Sequence, residues 1–279
     1  MQHHEGDFIG ARDLTIYYQY WLPEADARAL VIVAHGAAEH GGRYAGLAER
    51  LTASGYAVAA LDHPGHGRSE GTPGFIERFD DYVQTLRRFQ LELGGIAQGA
   101  PRILLGHSMG GLIACCYLLE YQSDLAGCVL SGPAISTELQ PSWFQLLMIR
   151  LLSVAMPKSG ALQLDAGGVS KDPEVVAAYR ADPLVYTGKL SARWVAELFR
   201  AMQSVQERAS EITLPLLLQH GSADSMTAPA GSELLYRSVS SDDKSLKLYA
   251  DLYHEIFNEP ERDIVIADLQ EWLEGQLTR

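Results

Sequence analysis

The stretch Arg102-Ile103-Leu104-Leu105-Gly106-His107-Ser108-Met109-Gly110-Gly111 decides the reading of this chain. Residues 102–106 form a short apolar run without polar alternation, as expected of a strand buried on both faces. Residues 110–121 continue as an apolar helix. A serine therefore sits in the turn between a strand and a helix, with Gly106 and Gly110 two residues to either side. Such a turn is sharp, and glycines let its backbone pack closely while the serine hydroxyl projects beyond the sheet. The helix that opens behind it favours negative charge at its N-terminus. Gly-x-Ser-x-Gly alone would fit any glycine-rich turn. With a strand before it and a helix after it, the pattern points to Ser108 as a nucleophile.

Outward from this turn, the runs 29–34, 57–61, 127–131, 215–221 and 245–249 read as further buried strands. The helical patterns 45–54, 79–93, 230–239 and 261–276 lie between them. Strand–helix alternation implies an α/β protein with a mostly parallel sheet and helices on both faces. Residues 14–21 interleave Thr15, Tyr17 and Gln19 with apolar neighbours and read as an antiparallel edge strand. The rhythm breaks between 131 and 215, where the helix-like segments 143–156, 173–179 and 191–210 replace strands. A compact domain does not leave so long a stretch as loop. This segment is expected to be a helical cap inserted over the carboxyl ends of the strands, where open α/β sheets bind ligands. The expected organisation is a core from 1–135, a cap from 136–210 and a second part of the core from 211–279.

A serine hydroxyl is a weak nucleophile and needs a base oriented by a carboxylate. The strand–turn–helix resembles the nucleophile elbow of α/β-hydrolases, in which the chain order is serine, acid, histidine. Downstream of Ser108 the sequence holds two histidines, His220 and His254. His254 follows the last strand and is the expected base. Asp224 follows the strand at 215–221 and is the expected acid, with Asp251 and Glu255 as local fallbacks. The tetrahedral oxyanion needs backbone donors. The N–H of Met109 is one candidate, and that of Ala37, in the loop His35-Gly36-Ala37-Ala38-Glu39-His40, is the other.

Motifs along nearly the whole chain resemble the monoacylglycerol lipase family, also grouped as serine aminopeptidase-like or lysophospholipase-like hydrolases. They are the 35–40 loop with Arg43-Tyr44, and Asp62-His63-Pro64-Gly65-His66-Gly67-Arg68-Ser69-Glu70-Gly71. The elbow, Asp182-Pro183-Leu184, Gly221-Ser222-Ala223-Asp224 and Tyr253-His254-Glu255 complete the set. The resemblance implies an α/β-hydrolase fold and cleavage of a lipid ester partner, a monoacylglycerol, through an acyl-enzyme on Ser108, without a cofactor. It also implies a cap that meets lipid, an apolar acyl tunnel, and a polar end for glycerol lined by Glu39, Arg43 and Tyr179. A structural Glu39–Arg43 ion pair and a cap-packing Tyr179 are the plain alternatives. A broader carboxylesterase or lysophospholipase would use the same three residues. A non-catalytic binding protein would be expected to lack part of the set, yet every position is filled. A haloalkane dehalogenase or epoxide hydrolase needs a carboxylate where Ser108 stands.

Composition limits the partners. Across 279 residues, 47% are hydrophobic and 20% charged, which suits a packed globular chain. The formal net charge of −13 argues against a nucleic-acid partner, which requires clustered Lys and Arg. Cys115, Cys116 and Cys128 form neither a disulfide framework nor a metal pattern and read as buried thiols in a reducing compartment. Residues 1–10 lack the apolar core of a signal peptide. A cytoplasmic protein is expected, with peripheral membrane association through the cap as an option. Segment 143–156 is apolar almost all round, so it is either a buried or dimer-forming helix or one that meets lipid. His3 and His4 are read as part of a disordered start, His63 and His66 as turn residues, and His107 as structural. No metal site is expected.

Overall fold

The computed structural model describes residues 1–136 and 142–277. Residues 137–141, near the start of the expected cap, lie outside the described residues, as do 278–279.

The main sheet contains β1 (Gln2–Ile9), β2 (Thr15–Leu22), β3 (Leu30–Ala34), β4 (Ala57–Leu61), β5 (Arg102–His107), β6 (Gly127–Ser131), β9 (Leu216–Gly221) and β10 (Lys244–Tyr249). A separate short pair, β7 (Gly160–Leu162) and β8 (Leu190–Ser191), is antiparallel. The main sheet runs in the order β1-β2-β4-β3-β5-β6-β9-β10. Every neighbouring pair from β4 to β10 is parallel, while β2 is antiparallel to both β1 and β4. The helices are α1 (Ala45–Ala53), α2 (Asp80–Glu92), α3 (Met109–Tyr121), α4 (Trp143–Ala155), α5 (Pro173–Ala181), α6 (Ala192–Arg208), α7 (Pro229–Ser238) and α8 (Arg262–Leu277).

Alternation along the central strands builds two cores. In β3, Leu30, Ile32 and Ala34 enter one core with Leu86 and Phe89 of α2, Leu112 and Ile113 of α3, and Val195 of α6. Val31 and Val33 face the other core, where Leu47 and Leu51 of α1 and Val265 and Leu269 of α8 cover them. Successive strand side chains point to opposite faces, and helices cover both, so the run must be apolar throughout. The central strands thus bear out the parallel α/β reading.

Two expectations fail at the sheet's edge. Residues 14–21 are not an edge strand, because β2 lies between β1 and β4. The N-terminus is not disordered but forms β1, with His3 stacked on Trp21 and His4 on Tyr20. Phe8 is the one hydrophobic side chain of β1 in the core, so aromatic stacking and the ladder to β2 hold a strand whose composition looks like a tail.

Between β6 and β9 the described chain is mainly helical. The apolar face of α6 packs against α3, and α4 lies on α6. Little of α4 is covered: Trp143 is 76% exposed, Phe144 55% and Val154 75%. Exposure on this scale rules out a core helix.

Candidate active site

At the end of β5 the backbone reverses sharply into α3, and Ser108 takes φ 54° and ψ −118°. A side chain at positive φ is strained and persists only where its surroundings over-determine it. Here the Ser108 N–H donates to the Ser131 carbonyl at 3.0 Å, and its own carbonyl accepts from Gly111, Leu112 and Ala134 at 3.0–3.2 Å. The flanking glycines are required by contact. A Cβ on Gly106 would stand 2.5 Å from the Gly110 carbonyl oxygen, and one on Gly110 would collide with the Ala34 and His35 carbonyls. The elbow therefore presses directly on the end of β3, the strand that leads into the 35–40 loop.

Asp224 sits in the turn after β9 and His254 in the loop after β10, and the two meet: His254 Nδ1 lies 2.6 Å from Asp224 Oδ2. The His254 ring lies 4.6 Å from that of His107, the residue before Ser108, so His254 stands beside the elbow. Burial disfavours a charge on either partner. For Asp224 this is overcome by His254, by a contact from His220 and by the backbone N–H of Thr227, which hold the carboxyl well below its usual range. For His254, burial is outweighed by the charge and hydrogen bond of Asp224, and its pKa is raised. The pair is thus arranged to hold an imidazolium while a reaction generates it. Neither fallback acid competes: Asp251 carries no bond to His254, and Glu255 is committed to Arg43.

Among the described residues, no protein acceptor takes the N–H of Ala37 or of Met109. Gly36 shows how close the 35–40 loop comes to the elbow, since a Cβ there would be 3.2 Å from that of Ser108. The loop is braced by Glu39, whose Oε1 accepts from the Gly36 N–H at 2.6 Å and the Tyr44 hydroxyl at 2.9 Å. Arg43 then joins two loops. It donates to Glu39 Oε2 at 2.9 Å and to Glu255, next to His254, at 2.5 and 2.7 Å. The ring of Tyr179 lies 4.6 Å from the guanidinium carbon, a cation–π contact. Glu39, Arg43, His107, Glu255 and Asn258 line a cleft. The structure so brings Glu39, Arg43 and Tyr179 together, in the ion-pair and packing contacts of the plain alternative and, for the first two, on a cleft wall.

Several partners escaped the sequence. His220 Nε2 approaches Asp224 Oδ2 at 3.1 Å, and Thr227 Oγ1 approaches the same oxygen at 2.9 Å. The one available signal was His220 standing four residues before Asp224. His107 is structural as expected: Nδ1 bonds to the Ser131 carbonyl at 3.0 Å, and burial, with the nearby His254 adding to it, pushes the imidazole down to about 4. His66 bonds within its turn to the Pro64 carbonyl, whereas His63 makes no ring hydrogen bond and packs against His35 and Tyr82. Cys115 and Cys128 are buried and Cys116 is half-buried. Among the described residues no group of three or more His, Cys, Asp or Glu side chains is placed to hold a metal ion.

A strained serine elbow after the central strand of an eight-stranded, mostly parallel sheet, with a histidine–aspartate pair on the loops beyond, defines an α/β-hydrolase. The chain belongs to the serine aminopeptidase, S33 family, whose model matches residues 25–261. It is 43% identical over 277 residues to a monoacylglycerol lipase of Mycolicibacterium smegmatis, covering 98% of each chain. It is 33% identical to the human monoglyceride lipase, over 95% of this chain and 88% of that one. Among solved structures, the Paleococcus ferrophilus monoacylglycerol lipase superposes with a TM-score of 0.82 at 31% identity, over 99% of this chain and all of the other.

Proposed function

We propose that this protein hydrolyses monoacylglycerols to fatty acid and glycerol, with Ser108 as nucleophile, His254 as general base and acid, and Asp224 as the orienting carboxylate. The observation that carries the reading is the 2.6 Å His254–Asp224 contact beside a serine held at positive φ. The monoacylglycerol lipases similar over almost the whole chain support the choice of substrate.

As Ser108 Oγ bonds to the ester carbonyl carbon, its proton passes to His254 Nε2. The carbonyl oxygen becomes an oxyanion held by the N–H groups of Ala37 and Met109. Collapse breaks the bond to the glycerol oxygen, which leaves with the proton from His254. Water, deprotonated by His254, then cleaves the acyl-enzyme and restores Ser108. The glycerol head occupies the cleft lined by Glu39 and Arg43, with Tyr179 stacked behind Arg43. Residues 136–210 act as a cap, and the exposed apolar face of α4 rests on a lipid surface. The contact proposed is peripheral, through an exposed apolar helix face; no helix among the described residues is long and apolar enough to cross a membrane.

The test is release of fatty acid and glycerol from a monoacylglycerol by wild type and Ser108→Ala. Diacylglycerol, lysophospholipid and a short p-nitrophenyl ester are run alongside. Preferred turnover of monoacylglycerol, lost in the variant, is expected. Turnover of the short ester alone would make the enzyme a carboxylesterase, and a folded protein inert to every ester would refute catalysis.

A further inference from the structure

Asp224 lies between two buried histidines. His254 reaches Oδ2 from the loop after β10, and His220, the penultimate residue of β9, reaches the same oxygen from the end of that strand. His220 is fully buried and touches neither Ser108 nor the cleft. Its other nitrogen, Nδ1, lies 2.7 Å from the hydroxyl of Ser232, a fully buried residue of α7. The triad makes no use of either side chain.

The contacts fix where the ring proton is. Nε2 faces three oxygens: Asp224 Oδ2 at 3.1 Å, the Thr227 carbonyl at 3.2 Å and Thr227 Oγ1 at 3.4 Å. A lone pair there would meet a carboxylate and a carbonyl head-on, so Nε2 carries hydrogen. In the neutral ring Nδ1 is then an acceptor, which the Ser232 hydroxyl satisfies. The remaining carboxylate oxygen, Oδ1, accepts the N–H groups of Met226 and Thr227 at 2.8 and 3.0 Å. One carboxylate oxygen is thus pinned by backbone. The other, which His254 needs, is held by side chains alone: by Thr227 Oγ1 at 2.9 Å and by His220, which is anchored at one end in β9 and at the other by Ser232 of α7.

We propose that His220 is a positioning residue: its Nε2–H, set by the Ser232 hydroxyl, holds Asp224 Oδ2 in line with His254. This rests on the reading of Asp224 as the triad acid. His220 transfers no proton. It acts by keeping the acceptor of the His254 Nδ1–H fixed as the imidazole gains and loses charge.

Two side chains of similar polarity separate this from packing. In His220→Gln the amide nitrogen falls near the position of Nε2 and still donates to Asp224. In His220→Asn the polar atoms reach only the level of Nδ1, so Oδ2 loses the His220 donor and keeps only Thr227 Oγ1 and His254. On a soluble ester, His220→Gln is expected to keep kcat within about threefold. His220→Asn and His220→Leu should lose about tenfold or more in kcat, the scale on which orienting partners act, with KM little changed. The low-field proton resonance of the His254 Nδ1–H should persist in the Gln variant and shift or broaden in the Asn variant. Equal kcat for Gln and Asn, whether both high or both low, overturns the proposal. If the Leu variant fails to fold, that pair still decides. Asp224→Asn, run in parallel, isolates the underlying reading: retained activity there would refute the triad itself, and loss there with equal Gln and Asn would refute only the role of His220.

Discussion

Replacing Arg43 by methionine should destabilise the protein strongly at neutral pH and much less in mild acid. The Arg43 side chain is 11% exposed and carries two carboxylates, Glu39 at 4% and Glu255 at 6%. Methionine keeps an unbranched apolar stem but removes the guanidinium and its charge. Two carboxylates are then left buried without their cation, and breaking a buried pair in this way costs about 3–5 kcal/mol. At roughly 2–4 °C per kcal/mol for a domain of this size, Tm should fall by about 6–20 °C. The pH dependence follows from Glu39. In the native protein burial favours its neutral form, but Arg43 outweighs that and holds the group below its ordinary range. Its stabilising contribution is therefore present above the unfolded carboxylate pKa of about 4.3 and is lost as pH falls through the lower folded value. Between pH 7.5 and 5.5 the wild type should not respond to Glu39. Without Arg43 the sign reverses: burial raises the folded pKa of Glu39, and the variant regains stability as falling pH protonates it. Thermal unfolding by circular dichroism at both pH values is the assay. A gap between wild type and variant that is the same at pH 5.5 and 7.5, or a Tm loss under about 2 °C at neutral pH, would refute the reasoning.

Three further outcomes follow from the geometry. The acid limb of kcat/KM should have its midpoint above the ordinary imidazole value of about 6.5, because Asp224 overcomes burial and raises His254. Activity falls as pH drops through that pKa, and a limb centred below about 6 would contradict the assignment. Gly110→Ala should abolish soluble, active protein, since the added Cβ collides with the carbonyls of Ala34 and His35, where no side chain can yield; a folded variant with normal Tm would contradict this. Trp143→Ser with Phe144→Ser should weaken flotation with phosphatidylcholine vesicles by about tenfold or more, as burying the phenylalanine alone is worth about 1.5–3 kcal/mol. Unaltered flotation would remove α4 from the lipid contact.

The sequence was most legible where structure is local. β5 and α3 could be read directly because an apolar strand and an apolar helix flank the serine within twenty residues, and most of each is buried in the fold. β1 was not legible: its stability comes from stacking and pairing with β2, neither of which leaves an apolar alternation. β7 and β8, of three and two residues, are too short to carry a period. In the site, residue type and chain order pointed to Asp224 and His254, and the structure brings them into contact. The supporting network was not legible because its members are distant in sequence. Glu255 looked like a spare acid beside His254, yet its partner Arg43 lies 212 residues away. His220 stood close to Asp224 in sequence, but only the fold of the turn brings its ring against the carboxylate.

The most direct test is to treat the folded protein with a fluorophosphonate ester and map the adduct by mass spectrometry. A single adduct on Ser108, absent from His254→Ala under the same conditions, is predicted. No adduct on folded wild-type protein, or an adduct on another serine, would contradict the claim that Ser108 is the activated nucleophile.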